Sequence, residues 1–127
     1  FYAIENAWGG EIFVPKIPSY RISDVAKAIA PELEQRIVGV RPGEKLHEEM
    51  ITSSDSYNTV DMGKYYAILP QKSPYSLYSK EDYKKRFNAI DVPKGFSYDS
   101  GNNTEWETVE SLRDLVKLHV DSNFKVK

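Results

Sequence analysis

The sequence contains no cysteine, so it can form neither a disulfide bond nor a thiolate metal site. It has two histidines, His47 and His119, which are too few for a zinc site or a histidine-based triad, and we expect both at surface or packing positions. No apolar run approaches the roughly 20 residues that a membrane-spanning helix needs. These absences fit a reducing compartment, and we expect a cytoplasmic protein with no metal and no membrane contact.

The sequence also lacks an excess of charge of one sign. Lysine and arginine number 17 and aspartate and glutamate 19, mixed along the chain to a net charge of -2. Without a basic patch, nucleic acid is not an expected partner. The 127 residues are 40% hydrophobic, which is enough apolar material for a core, and they predict a single domain over residues 1–127.

The N-terminal residues resemble the end of a helix that has no beginning. Phe1, Ile4 and Trp8 recur on one helical face and Gly9 suits a C-cap, but no capping residue precedes them. We expect residues 1–8 to be the end of a truncated helix and the chain to be a piece of a larger protein. The alternative is an ordinary amphipathic helix that begins a complete domain.

The rest of the chain alternates short apolar runs with helical patterns, which predicts an α/β (α+β) fold with short strands and three or four helices. Ser23 suits the N-cap of one helix, which Pro31 ends or kinks, and Thr108 suits the N-cap of another. No Gly-rich dinucleotide fingerprint is present, so we expect no Rossmann domain in this chain. The predicted elements are strands at 11–15, 35–40 and 64–70, helices at 23–34, 43–51 and 108–120, a polar loop at 52–59, and a loop-rich segment at 71–103 that wraps over the surface.

The stretch Arg41-Pro42-Gly43-Glu44 lies where the predicted strand 35–40 meets the predicted helix 43–51. Pro42 favours an extended Arg41 and suits a first helical position, so N–H groups at the start of the helix would attract an anion. The guanidinium of Arg41 matches phosphate oxygens, and the carboxylate of Glu44 can accept two hydrogen bonds from a vicinal diol. Phosphate plus diol describes a nucleoside diphosphate. The alternative is that Glu44 complements the helix dipole and Arg41 pairs with Glu48 or Glu49.

Lys16 is a further candidate for substrate binding. It follows the predicted strand 11–15 within VPKIP, from where it could reach a phosphate. The alternative is a solvated lysine in a surface turn.

Two long stretches, GGEIFVPKIPSYRISDVAKAIAPE and IVGVRPGEKLHEEMIT, resemble the C-terminal part of the inverting UDP-N-acetylglucosamine 4,6-dehydratases. KYYAILP and NNTEWETVESLRDLV are also similar to that family, which belongs to the extended short-chain dehydrogenase/reductases and begins pseudaminic acid and related sugar pathways in bacteria. The resemblance implies a small domain that grips UDP-N-acetylglucosamine, with Arg41 on the diphosphate and Glu44 on the uridine ribose. It also implies that an N-terminal Rossmann domain holding NADP is the missing partner.

The resemblance implies a reaction that this chain alone is not expected to perform. Oxidation at C4, loss of water across C5 and C6, and hydride return need a Tyr-x-x-x-Lys pair, and no tyrosine of this sequence has a lysine four residues later. We therefore expect no catalytic and no cofactor-binding residue in the chain. The alternatives are a stand-alone, non-catalytic module that binds a nucleotide-sugar or a protein, and a domain that only scaffolds oligomer contacts. We also expect a homo-oligomer, with the stripe that ends at Trp8 in its interface.

Overall fold

The computed structural model of the protein describes residues 1–71 and 78–126. The chain divides into two compact units. One, the sheet unit, comprises Phe1–Lys16 and Glu49–Asn102, and the other, the helical unit, comprises Ile17–Glu48 and Asn103–Lys127. The mixed fold, with four helices in the described residues, confirms the predicted α+β class with three or four helices. The single domain over 1–127 stays a prediction.

The sheet unit contains two antiparallel sheets. The elements of this unit are α1 (Tyr2–Asn6), β1 (Ile12–Pro15), β2 (Glu49–Ile51), a 3₁₀ turn (Asp55–Asn58), β3 (Thr59–Asp61), β4 (Tyr65–Ile68), α3 (Lys80–Phe87), β5 (Ile90–Asp91) and β6 (Tyr98–Asp99). Four strands pair in the order β1-β4-β3-β5, and β2 pairs with β6. Gly63, with a φ of 81°, lies in the turn that joins β3 to β4.

The core of the sheet unit lies between the four-stranded sheet and α3. The apolar runs that predicted strands at 11–15 and 64–70 form β1 and β4, so both predictions are confirmed. The polar loop predicted at 52–59 instead holds the 3₁₀ turn and leads into β3. The buried cluster comprises Val60, Ala67, Leu69, Tyr83 and Ala89, with Trp8, Phe13, Met62 and Phe87 packed against it.

Helix α3 corrects the prediction that residues 71–103 only wrap over the surface. The hydroxyl of Ser79 accepts the N–H of Asp82, and the Asp82 carboxylate accepts the N–H of Ser79, which forms a capping box at the start of the helix. Asn88 ends the helix with a φ of 49°, and Tyr83 places its ring in the core. Periodicity missed this helix because Tyr83 is its one buried residue. The part of the prediction that concerns residues 72–77 lies outside the described residues.

The N-terminal helix is shorter than residues 1–8, and the predicted apolar stripe is wrong. Helix α1 ends at Asn6 because the Glu11 carboxylate accepts the N–H groups of Trp8 and Gly9, both at 2.7 Å, which holds these residues outside the helix. Trp8 then packs against Tyr83, with ring centroids 5.3 Å apart. Gly9 is therefore not the C-cap, and Trp8 does not share a face with the exposed Phe1 and Ile4. Self-association stays a prediction, without this stripe as its basis.

Two helices, α2 (Ile22–Ile29) and α4 (Val109–His119), pack together in the helical unit. Helix α4 confirms the helix predicted at 108–120, and Thr108 caps it in a capping box with Ser111. Helix α2 begins one residue before the predicted N-cap, since Arg21 and not Ser23 is at that position. It ends at Ile29, two residues before Pro31.

Residues 31–50 are the main departure from the predicted elements, and all twenty are exposed. The strand predicted at 35–40 is absent because the run has no partner strand among the described residues. The helix predicted at 43–51 is also absent, because Gly43 has a φ of 87°, which an α-helix does not accommodate. Its last residues form β2 instead.

Candidate functional site: the Arg41–Glu44 turn

The Arg41–Glu44 stretch is a β-turn closed by two hydrogen bonds. The backbone N–H of Glu44 donates to the carbonyl of Arg41 at 3.0 Å, and the carboxylate Oε2 of Glu44 accepts the N–H of Arg41 at 2.7 Å. Proline and glycine occupy the two central positions, and the positive φ of Gly43 is what a type II turn requires at the second of them. The local sequence Arg-Pro-Gly-Glu therefore dictates this conformation.

The turn replaces the helix N-terminus that the sequence predicted, so a helix dipole does not attract an anion at this position. What remains of the predicted site is the guanidinium of Arg41 and the carboxylate of Glu44, which are side chains of the same tight turn and lie at exposed positions. Glu44 uses Oε2 to hold the turn, and a carboxylate has about four lone-pair sites in all, so it can accept further hydrogen bonds. Arg41 presents a planar fork of donors.

Lys16 forms an ion pair at a partly exposed position. Its Nζ donates to both carboxylate oxygens of Asp61, at 2.7 and 2.8 Å, and lies 4.4 Å from the ring centroid of Tyr66. Asp61 also accepts the N–H of Gly63 at 2.8 Å, so the Lys16–Asp61 pair stabilises the β3–β4 turn. A phosphate that approached Lys16 would compete with Asp61. Lys16 belongs to the sheet unit, whereas Arg41 and Glu44 belong to the helical unit.

Sequence reasoning missed the aromatic cluster beside Lys16. Burial raises the pKa of the Tyr66 phenol, and the nearby charge of Lys16 only partly offsets this effect, so Tyr66 is neutral at physiological pH. Phe96 and Tyr98 lie with ring centroids 5.1 and 5.2 Å from that of Tyr66. Residues separated by about thirty positions form this cluster, and no local spacing could have indicated it.

Sequence reasoning also missed a polar anchor in the helical unit. The side-chain amide of Asn103 donates to the carbonyl of Ile17 at 2.8 Å and to the Ser19 hydroxyl at 3.0 Å. The indole of Trp106 donates to the carbonyl of Asn103 at 2.8 Å and lies under the guanidinium of Arg21. These contacts hold residues 17–21 beside the approach to α4.

The described residues offer neither a metal site nor a dinucleotide site. Among them, no group of three or more His, Cys, Asp or Glu side chains could hold a metal ion. A Rossmann cradle needs a parallel strand, a Gly-rich turn and a helix, whereas both sheets of the described part are antiparallel. The residues present do not fit NADP. None of the helices in this part has the length and apolar character needed to cross a bilayer.

A protein-family profile described as "Polysaccharide biosynthesis protein" matches residues 1–70. The chain belongs to this family. It is 43% identical over 118 residues to a UDP-N-acetylglucosamine 4,6-dehydratase (inverting) of Campylobacter jejuni, covering 88% of this chain and 34% of that enzyme. It is 38% identical over 126 residues to a UDP-glucose 4-epimerase of Rickettsia felis, covering 94% of this chain and 35% of that enzyme. The resemblance drawn from the sequence motifs is confirmed.

The fold has a counterpart among solved structures. The X-ray structure of Pen from Bacillus thuringiensis superposes with a TM-score of 0.64 at 25% sequence identity, over 91% of this chain and 33% of that one. The chain thus spans about a third of the length of the Campylobacter jejuni and Rickettsia felis relatives and of this structure.

Proposed function

We propose that this chain is the UDP-sugar-binding C-terminal domain of an inverting UDP-N-acetylglucosamine 4,6-dehydratase that acts in bacterial surface-sugar biosynthesis. The observation that carries the proposal is the 43% identity to such an enzyme over 88% of the chain, a stretch long enough to include the Arg41–Glu44 turn. The exposed turn, which carries a guanidinium and a carboxylate three residues apart, supports it.

In the proposed role, Arg41 donates charge-assisted hydrogen bonds to the diphosphate and Glu44 accepts hydrogen bonds from the ribose diol. The two groups are suited to different parts of one ligand, because a guanidinium binds phosphate oxygens in a bidentate manner while a carboxylate repels them. The turn holds Glu44 through its own backbone contact, so less side-chain freedom is lost when the diol binds. Lys16 stays a separate candidate for substrate binding, and a phosphate oxygen there would have to replace Asp61 as its partner.

The chemistry is proposed to require polypeptide in addition to these 127 residues. NADP, held by an N-terminal Rossmann domain, would accept and return the hydride. This chain would bind and orient the UDP end of the sugar. The chain alone is expected to be inactive, because it lacks the Tyr-x-x-x-Lys pair. We place the enzyme in the cytoplasm, in keeping with a chain that has no cysteine.

Titration with UDP tests the proposal. Arg41→Ala should weaken UDP binding about ten- to a hundredfold, because the loss of a charge-assisted contact typically costs about 1.5–3 kcal/mol. Arg36→Ala is the matched control, since Arg36 is also exposed in the same segment, and it should leave binding unchanged. Equal UDP affinities of the wild type and Arg41→Ala would contradict the diphosphate assignment.

The role of Glu44 can be isolated with 2′-deoxy-UDP, which lacks one hydroxyl of the diol. The wild type should prefer UDP over 2′-deoxy-UDP, and Glu44→Gln should lose most of this preference. The variant keeps an oxygen that can accept the N–H of Arg41, so the turn is retained. An undiminished preference in Glu44→Gln would show that another group reads the ribose.

A further inference from the structure

The helical unit buries very little of its apolar surface. Of the nine buried hydrophobic residues in the described part of the chain, seven lie in the sheet unit and only Ala28 and Leu112 in the helical unit. Of the twenty-one large hydrophobic residues that are exposed in the described ranges, fourteen belong to the helical unit. Exposed apolar surface on this scale is typical of an interface.

Much of the exposed apolar surface lies in the run that precedes the turn. Ile37, Val38 and Val40 are exposed to 94%, 79% and 60%. Within the described residues, no backbone–backbone hydrogen bond involves residues 34–40. β-branched residues favour a pleated, packed surface, and a strand leaves its N–H and C=O groups for a neighbouring strand to bind. The run therefore has the composition of a strand and lacks the partner.

We propose that residues 35–40 dock as an added strand on an open sheet edge of the polypeptide that the dehydratase relatives carry beyond the matched region. The inference rests on the proposed function for the identity of this partner. The relatives supply the length, since the matched region is 34% of the Campylobacter jejuni enzyme. Ile37 and Val38 point to opposite faces of a strand, and because both are apolar, the docked strand is covered on both faces. Gly39 has a φ of 87°, and in the docked strand it would form a bulge ahead of Val40.

A second copy of the chain is a poorer occupant of this strand. Antiparallel pairing of two copies about Val38 sets Arg36 opposite Val40 and Gln35 opposite Arg41, and pairing about Ile37 sets Glu34 opposite Val40. Neither register brings opposite charges together, and each leaves a charged side chain across from an apolar one.

Docking of the run would also position the candidate site. Arg41 directly follows Val40, so a strand fixed against a partner sets the direction in which the Arg41–Glu44 turn leaves the sheet. The segment ordered by the partner and the segment that binds UDP are then continuous, and UDP binding is tighter in the docked state than in the isolated chain.

Hydrogen exchange tests the docking. The partner is supplied by a chimera in which this chain replaces the matching third of the Campylobacter jejuni dehydratase. Amides of residues 35–40 should exchange rapidly in the isolated chain at every concentration, and at least a hundredfold more slowly in the chimera. Protection in the isolated chain at low concentration, protection that rises with its concentration, or rapid exchange in the chimera would each overturn the proposal.

Two proline variants of the chimera test the backbone pairing itself. Successive amides of a strand point to opposite sides, so one of Ile37→Pro and Val38→Pro removes a donor to the partner strand and should abolish the protection. Val38→Thr keeps the β-branched shape and the N–H, and should keep the protection. If both proline variants kept the protection, strand addition would be overturned.

The same chimera separates this inference from the proposed function. A chimera that converts UDP-N-acetylglucosamine while residues 35–40 exchange rapidly overturns the docking and leaves the function intact. A chimera in which residues 35–40 are protected but UDP does not bind overturns the proposed function and leaves the docking intact. A chimera with neither property overturns both.

Discussion

Different interactions stabilise the interior of each of the two units. The sheet unit places Val60, Ala67 and Tyr83 in a buried cluster between four strands and a helix. The helical unit has no comparable cluster in its described residues, and Ala28 is its most buried apolar side chain. There, polar contacts between α2, α4 and the segments that lead into them take the place of a core.

The polar contacts of the helical unit are specific. Arg113 of α4 donates from Nε to the carbonyl of Ala28 at 3.1 Å and from its terminal nitrogen to that of Lys27 at 3.3 Å, which satisfies carbonyls at the C-terminal end of α2. The N–H of Glu107 donates to the carbonyl of Ser19 at 2.7 Å. Such bonds fix geometry but contribute about 1 kcal/mol each, whereas burial of one large aliphatic side chain contributes about 1.5–3 kcal/mol.

The difference bears on where the candidate site lies. Arg41 and Glu44 belong to the unit with little buried apolar area, and segments that bind ligands or partners are commonly drawn from the less stable parts of a protein. The sheet unit holds most of the buried apolar side chains, and the helical unit holds Arg41 and Glu44.

Removal of a buried side chain should give the largest effect and the sharpest test of this contrast. Ile51 is 0% exposed and Ile37 is 94% exposed, so the same substitution can be made in each unit. Ile51→Ala should lower the free energy of unfolding by about 2–5 kcal/mol through lost burial and a cavity, and Ile37→Ala should change it by less than about 0.5 kcal/mol. Urea unfolding followed by circular dichroism measures both. Similar losses in the two variants would mean that the helical unit has a core of its own.

Neighbouring asparagines provide a smaller test, of the polar contacts. Asn103 binds Ile17 and Ser19 in the helical unit, whereas the amide of Asn102 binds Asp99 at 2.7 Å in the sheet unit. Asn103→Ala should speed hydrogen exchange in α4 and cost about 1–2 kcal/mol, because it leaves backbone and hydroxyl groups without their donor. Asn102→Ala should leave exchange in α4 unchanged. An unchanged α4 in Asn103→Ala would show that this anchor does not stabilise the helical unit.

The sequence predicted elements whose signals are local and failed where a partner was required. Pro15 and Pro70 mark the ends of the apolar runs that form β1 and β4, and Thr108 caps a helix with regular leucine spacing. Helix α3 was not predicted because its sequence signal is a capping box at Ser79 and not a periodic pattern of apolar residues. The run 35–40 has the composition of a strand, but a strand exists only when another chain segment pairs with it.

The binding role of Arg41 and Glu44 stays a prediction, and the helix start that was expected to carry it is wrong. Arg41 and Glu44 do share one local structure, yet Pro-Gly at the centre forms a type II turn where a helix start was expected. The ion pair of Lys16 with Asp61 joins residues 45 positions apart, so it depends on the register of β1, β4 and β3. No local pattern in the sequence carries that register.

The smallest expected effect is a gain in stability from removal of a hydroxyl group. The hydroxyl of Tyr83 is buried and has no hydrogen-bond partner among the described residues. An unsatisfied buried polar group destabilises the folded state, so Tyr83→Phe should raise the free energy of unfolding by up to about 1 kcal/mol. Tyr20→Phe, at a 55% exposed position in the helical unit, is the matched control and should change nothing.

The dependence of this gain on pH identifies its cause. Burial raises the pKa of Tyr83 above the ordinary value of 10.0, and the charge of Glu11 adds to the effect. Because the pKa of Tyr83 is raised in the folded state, the wild type has its full free energy of unfolding below pH 10. Above pH 10 this free energy falls as the pH rises, because the unfolded chain releases a proton that the folded chain keeps. The loss attributable to Tyr83 approaches about 1.4 kcal/mol per pH unit. In urea unfolding between pH 8 and about pH 11, the advantage of Tyr83→Phe should therefore grow as the pH rises. A constant difference across this range would mean that the Tyr83 hydroxyl reaches solvent, and that the core of the sheet unit is more open than its packing indicates.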